Sequence, residues 1–126
     1  MARTVIAVVD DLFFASKIRG TAELLGVSVS FPRQLEALLG LVRQERPALL
    51  ICDLHSEKID PLRVAREIKA SEELKQIELV GFFSHVQTEL QRAAEQAGFD
   101  RIMPRSAFTS RLREILAGAS TEHQTR

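Results

Sequence analysis

Tryptophan and tyrosine are absent from this chain, cysteine occurs once, and neither sign of charge is in excess. Each shortage closes off a class of protein. A lone cysteine, Cys52, cannot form an internal disulfide, so a bridge-stapled secreted scaffold is excluded and a reducing, cytoplasmic setting is expected. Lysine plus arginine equals aspartate plus glutamate, 17 each, which leaves no net field to draw the chain onto nucleic acid or an anionic membrane. No apolar run approaches the roughly 20 residues of a membrane span. The stretch Val5-Ile6-Ala7-Val8-Val9 is too short for a secretory signal. Nor is there a G-x-G-x-x-G or a P-loop, so backbone cradles for a dinucleotide or nucleoside triphosphate are missing. What remains is an ordinary globular composition, 45% hydrophobic over 126 residues, enough for one domain and its core but not for two.

Short apolar runs alternate with helical patterns along the chain. Val5 to Val9 is continuously apolar and stops at Asp10-Asp11, as a strand buried on both faces should. Phe14, Ile18, Ala22 and Leu25 recur at helical spacing within Leu12 to Leu25, and Gly26 is a natural stop. Val27, Val29 and Phe31 alternate with serines, the pattern of a half-exposed edge strand, and Leu35, Leu38, Leu39 and Val42 mark a second helix closed by Pro47. Ala48 to Cys52 is the second fully apolar run, and it too ends on an aspartate, Asp53.

Asp60-Pro61 opens a third helix, since aspartate caps and proline suits the first turn. Glu78 to Phe83 reads as a strand, Leu90 to Ala97 as a helix ended by Gly98, and Arg101 to Met103 as a short fifth strand. Phe108, Leu112, Ile115 and Leu116 lie along one final helix. Five strand–helix units with strands this apolar require an α/β architecture: a doubly wound parallel sheet with helices on both faces. The edge-like second strand favours the order 2-1-3-4-5. Residues 1–118 are read as the domain and 119–126 as a polar, disordered tail.

In an open parallel sheet, ligands sit at the carboxyl ends of the strands beside the reversal in strand order. That reversal lies between strands one and three, so Asp10, Asp11 and Asp53 are expected to share one crevice. Crowded carboxylates raise one another's pKa unless a cation joins them, and oxygen ligands suit a hard divalent ion, Mg²⁺ above all. An aspartate-nucleophile phosphotransferase would carry Asp-x-Asp after a strand; here the pair is adjacent and Leu12-Phe13 follows.

These residues give the chain its resemblance to the receiver domains of two-component response regulators, over about Thr4 to Leu116. The matching pieces are Val8-Val9-Asp10-Asp11, Leu49 to Leu54 with Asp53 inside it, and Asp60 seven residues after Asp53. Ser84 after the fourth strand and Ala97-Gly98 before the fifth complete the set. The resemblance implies a flavodoxin-like receiver fold and a set of roles. Asp53 would be the phosphoacceptor, Asp11 a direct Mg²⁺ ligand, and Asp10 a ligand through water. The His55 backbone carbonyl would complete the protein's share of the metal shell, and Ser84 would be the switch hydroxyl. The partners implied are a sensor histidine kinase or phosphotransfer protein and a downstream protein, met through the face of the fourth helix, fifth strand and fifth helix. That face is also compatible with a homodimer.

Several positions depart from the family pattern. The lysine that precedes proline near the end of the fifth strand is missing: Met103 or Pro104 falls there, and Arg105 is the nearest cation. A guanidinium is planar and larger than an ammonium, so the exchange is not a simple one. His85 stands where a small residue follows the switch hydroxyl, Glu57 replaces a proline, Pro61 replaces a glycine, and Arg101 or Ile102 falls where an aromatic switch residue is usual.

The plainer expectations are these. Asp11 caps the first helix, Ser84 caps the fourth, and Cys52 and the Phe13-Phe14 and Phe82-Phe83 pairs serve packing. His55 and His85 are solvated loop residues without a metal role, and Arg63, Arg66 and Lys69 form a solvated helix face. Arg101 and Arg105 both lie near the crevice. Two functions follow: a single-domain, non-enzymatic receiver phosphorylated on Asp53 with Mg²⁺, or a pseudo-receiver whose interactions do not depend on phosphorylation.

Overall fold

The computed structural model describes residues 3–118; the expected tail at 119–126 lies outside the described residues. Five strands form one parallel sheet: β1 (Thr4–Val8), β2 (Ser28–Ser30), β3 (Leu49–Asp53), β4 (Glu78–Phe83) and β5 (Arg101–Pro104). Their order is β2-β1-β3-β4-β5, as the apolar pattern and the short serine-rich second strand require. No helix among the described residues is long and apolar enough to cross a membrane.

The strands read as unbroken apolar runs because both faces are covered. In β1, Val5 and Ala7 face one side while Ile6 and Val8 face the other, and all four are buried. On one face, α2 (Leu35–Glu45), α3 (Pro61–Lys69) and α4 (Thr88–Ala97) bring Leu38, Val42, Val64, Ile68 and Ala94 against Ile6, Leu50 and Leu79. On the other, α1 (Leu12–Leu25), α5 (Arg105–Ser110) and α6 (Leu112–Ala117) bring Phe14, Ile18, Phe108 and Ile115 against Leu49, Ile51, Val80 and Phe82. Of the four paired phenylalanines only Phe13 is surface, 91% exposed at the start of α1.

The helix ends follow local chemistry. Asp60 caps α3 by accepting from the Leu62 and Arg63 N–H groups at 3.0 and 3.5 Å, an arrangement that contributes about 1 kcal/mol. Gly26 ends α1 in the left-handed region at φ 71°, where a side chain would be strained.

Two expectations change. The final helix is interrupted at Arg111 (φ −108°, ψ 13°). Ser110 Oγ donates to the Ala107 carbonyl at 3.0 Å, and this back-bonding bends a helix at a spot where apolar spacing alone shows no break. Lys69 is not solvated with Arg63 and Arg66. Its Nζ donates to the Lys75 carbonyl (2.9 Å), the Ile77 carbonyl (3.1 Å) and Asp100 Oδ2 (3.1 Å), while Asp100 also accepts from the Leu79 N–H at 2.8 Å. Lys69 therefore staples the end of α3 to the start of β4 and the turn before β5.

Candidate functional site

Beyond Val8 the chain leaves the sheet, and the two following aspartates diverge in what they hold. Asp11 takes an extended backbone (φ −73°, ψ 115°) and caps α1, its Oδ1 accepting from the Phe13 N–H at 2.9 Å and the Phe14 N–H at 3.2 Å. Its Oδ2 accepts from Arg105 Nη2 at 3.3 Å. The capping bond from Phe14 and the bond from Arg105 outweigh partial desolvation and hold this carboxyl below the ordinary carboxylate pKa. Arg105 opens α5, and its guanidinium carbon lies 3.9 Å from the centre of the Phe14 ring. Phe14 packs edge-on against Phe82 at 5.3 Å, and Phe82 stacks on Phe108 at 4.8 Å. The cation is thus seated on the aromatic core and aimed at the acidic strand ends.

Asp10 turns to the loop between β3 and α3. Oδ1 accepts from Ser56 Oγ at 2.8 Å, and Oδ2 accepts from the Glu57 N–H at 2.8 Å and more weakly from the Lys58 N–H at 3.4 Å. Burial works to raise its pKa. The bonds from Glu57, Ser56 and Lys58, with the Lys58 charge, prevail and lower it. Asp10 is a clamp across the first and third strand ends. Spacing could not reveal this, since the partners lie 46 to 48 residues away.

Asp53 ends β3, half-buried, with Oδ1 accepting from the His55 N–H at 2.9 Å. Among the described residues Oδ2 accepts no hydrogen bond from a side chain or loop N–H. Desolvation raises its pKa. The His55 N–H and the His55 and Arg105 charges work the other way, and repulsion from Asp10 adds to the rise. Cys52, immediately behind Asp53, is fully buried and its thiol is raised by desolvation, an inert packing residue.

The rim is built by two loops. Ser84 follows β4 and is exposed; α4 is capped at Gln87 without a side-chain bond, so Ser84 is not its cap. His55 and His85 do not both stand in water: their rings meet edge-on, 5.6 Å apart at 71°. His55 is partly buried and its Nε2, shielded from solvent, has no hydrogen-bond partner among the described residues. Nothing in the sequence marks this pairing, because only the approach of two loops 30 residues apart creates it.

Register fixes where the strand-five residues lie. Asp53 pairs with Phe82, and Phe82 with Met103, while Phe83 pairs with Pro104. Met103 is buried in the core, and Arg105, two residues on, is a cation that reaches Asp11. Arg101, expected near the crevice with it, lies instead at the opposite end of β4, bonded to Glu78 at 2.9 Å.

As a home for Mg²⁺ the donor set has the right chemistry. It offers carboxylate oxygens, an unengaged Asp53 Oδ2, and a His55 carbonyl that accepts no hydrogen bond among the described residues. The spacing is another matter: no group of three His, Cys, Asp or Glu among the described residues stands close enough to hold a metal ion. Arg105 already engages Asp11 Oδ2 at 3.3 Å, so an ion held through that oxygen would compete with the bridge.

No protein-family profile matches the chain, and no curated protein sequence matches it. Solved structures do. The phosphorylated cyanobacterial phytochrome response regulator RcpA superposes with a TM-score of 0.77 at 22% identity, over 95% of this chain and 92% of that one. The Mn²⁺-bound response regulator Rcp1 gives 0.75 at 19%, over 94% and 92%. The receiver domain of the sensor histidine kinase PA1611 from Pseudomonas aeruginosa, with magnesium in its active-site cleft, gives 0.76 at 16%, over 94% and 100%. At such identities the likeness establishes the fold: it is that of response-regulator receiver domains.

Proposed function

We propose that the chain is a receiver-type signalling module that accepts a phosphoryl group on Asp53 in the cytoplasm, with Mg²⁺, and acts through protein contacts rather than by turnover. The carrying observation is the half-buried Asp53 carboxylate at the strand-order reversal, one oxygen fixed by the His55 N–H at 2.9 Å and the other without a partner among the described residues. In the transfer, Asp53 Oδ2 bonds to phosphorus as the P–N bond to a donor phosphohistidine breaks, and the imidazole leaves with a proton. Asp10, Asp11, Asp53 and the His55 carbonyl would hold the Mg²⁺, which offsets charge on the transferring oxygens when bound. Exposed Ser84 would donate its hydroxyl to a phosphoryl oxygen. The donor would be a histidine kinase or phosphotransfer protein. The receiving partner would dock on the face of α4, β5 and α5.

A second reading, an interaction module independent of phosphorylation, has its own observation: Arg105 already neutralises Asp11 at 3.3 Å, and no three-ligand acidic group stands among the described residues. One experiment separates them. The protein is incubated with Mg²⁺ and acetyl phosphate, and in parallel with beryllium fluoride, and followed by intact mass and amide chemical shifts. The first reading expects a labile phosphoryl adduct that vanishes in Asp53→Asn, with shifts at His55 and Ser84. A folded sample showing neither adduct nor shift overturns it in favour of the second.

A further inference from the structure

We propose that a cavity beside the acidic crevice is a binding site for a nucleoside 5′-monophosphate. Its volume is about 320 Å³, enclosed by the end of β1, the start of α1, the loop after β2 and the loop after β3. It shares only Asp10 with the crevice; Asp11, Asp53, His55, Ser84, His85 and Arg105 do not line it.

Three cations from three separate segments converge on it: Arg19 from α1, Arg33 from the loop after β2, and Lys58 from the loop after β3. The one carboxylate in the wall, Asp10, is already engaged by Ser56 Oγ and the Glu57 N–H, both at 2.8 Å. The lining therefore presents an excess of positive charge to an entering ligand. Arg19 is held rather than free, its guanidinium carbon 4.7 Å from the centre of the Phe31 ring. A guanidinium fixed in this way keeps its fork of donors available for a phosphate at little further cost in ordering.

Apart from Ser16 the rest of the wall is apolar, with the partly exposed Phe31 and Pro32 prominent. A bare phosphate would leave those groups wet. The volume lies at the lower end of the roughly 300–1,000 Å³ usual for small-molecule pockets, which suits one nucleotide and not a dinucleotide. The cations take the phosphate, and the apolar wall takes the base. This assignment is independent of any phosphorylation of Asp53.

The test titrates the full chain, without divalent metal, with AMP, GMP, UMP and CMP, and separately with adenosine and inorganic phosphate. Binding is read by amide chemical shifts and calorimetry. At least one nucleotide should move the amides of Phe31, Arg33 and Ile59 saturably and bind more tightly than either half alone. Arg19→Ala and Arg33→Ala should each weaken it by about tenfold or more, as loss of a charge-assisted hydrogen bond does. Both residues are exposed, so both variants should fold, with unchanged far-UV circular dichroism as the check. Asp53→Asn should bind as the parent does. Three outcomes would each overturn the assignment: no shift at millimolar nucleotide, equal binding in both arginine variants, or inorganic phosphate binding as tightly as the nucleotides.

Discussion

Gly81 lies in the middle of the central half of the sheet, paired with Cys52 on one side and Ile102 on the other. A β-carbon there would meet Leu54 Cδ2 at 2.9 Å, Leu54 Cγ at 3.2 Å and Phe99 Cδ1 at 3.2 Å. Carbon–carbon contacts are comfortable at about 3.5–4.0 Å. The intruding methyl is squeezed between two side chains that are only 4% and 7% exposed, so neither has open space to retreat into. Overpacking of this kind costs about 1–3 kcal/mol. The narrower unfolded ensemble of alanine returns about 0.4–1 kcal/mol. Gly81→Ala should therefore lose between about 0 and 2.6 kcal/mol with a centre near 1.3, or about 5 °C of Tm at an unfolding entropy of about 2 cal/mol/K per residue.

The assay is far-UV circular dichroism on heating and in urea, since a chain without tryptophan or tyrosine offers little intrinsic fluorescence. Leu54→Ala alone should cost about 2–5 kcal/mol as a cavity. Combined with Gly81→Ala it should cost about 1–3 kcal/mol less than the two separately, because the new methyl enters the vacated space. The Leu54 N–H also bonds the Phe82 carbonyl at 2.9 Å directly after Asp53, so the His55 amide should shift in Gly81→Ala. A variant melting above the parent, or strict additivity of the pair, would refute the packing argument.

Three further outcomes are expected. In metal-free buffer, Asp53→Asn should be more stable than the parent at pH 7: a carboxyl whose folded pKa is raised by burial weakens the fold once pH climbs through that value. The advantage should disappear below the unfolded value of 3.8, so a gain persisting at pH 3 in paired urea melts would count against the assigned cause. Arg105→Gln should bind Mg²⁺ severalfold more tightly than the parent, since it releases Asp11 Oδ2; equal midpoints in an amide-shift titration would show that the bridge and the ion do not compete. Lys69→Met keeps the apolar stem but forfeits three acceptors. It should cost about 2 kcal/mol after allowance for solvent at Asp100, and a loss below about 0.5 kcal/mol would mean the staple is unimportant.

Much of this molecule could be read from residue order alone. Val5 to Val9 and Ala48 to Cys52 are apolar without alternation, and only a strand covered on both faces tolerates that, which selects a parallel sheet and, with the serine-interrupted second strand, its order. The same pattern puts Asp10 and Asp11 just past β1 and Asp53 at the end of β3, because strand termini are set by where the apolar run stops. The cap that Asp11 gives α1 was legible too; the further division of labour among the three was not. Asp10 clamps Ser56 and Glu57, Asp11 also meets Arg105, and Asp53 is left half-buried with one oxygen unengaged among the described residues.

Tertiary structure alone decided these matters, for one physical reason. Strand and helix signals are carried by neighbours in the chain. The His55–His85 contact, the Lys69 staple, the Arg105 bridge 94 residues from its partner and the Arg19–Arg33–Lys58 cavity all depend on which loops the folded sheet brings together.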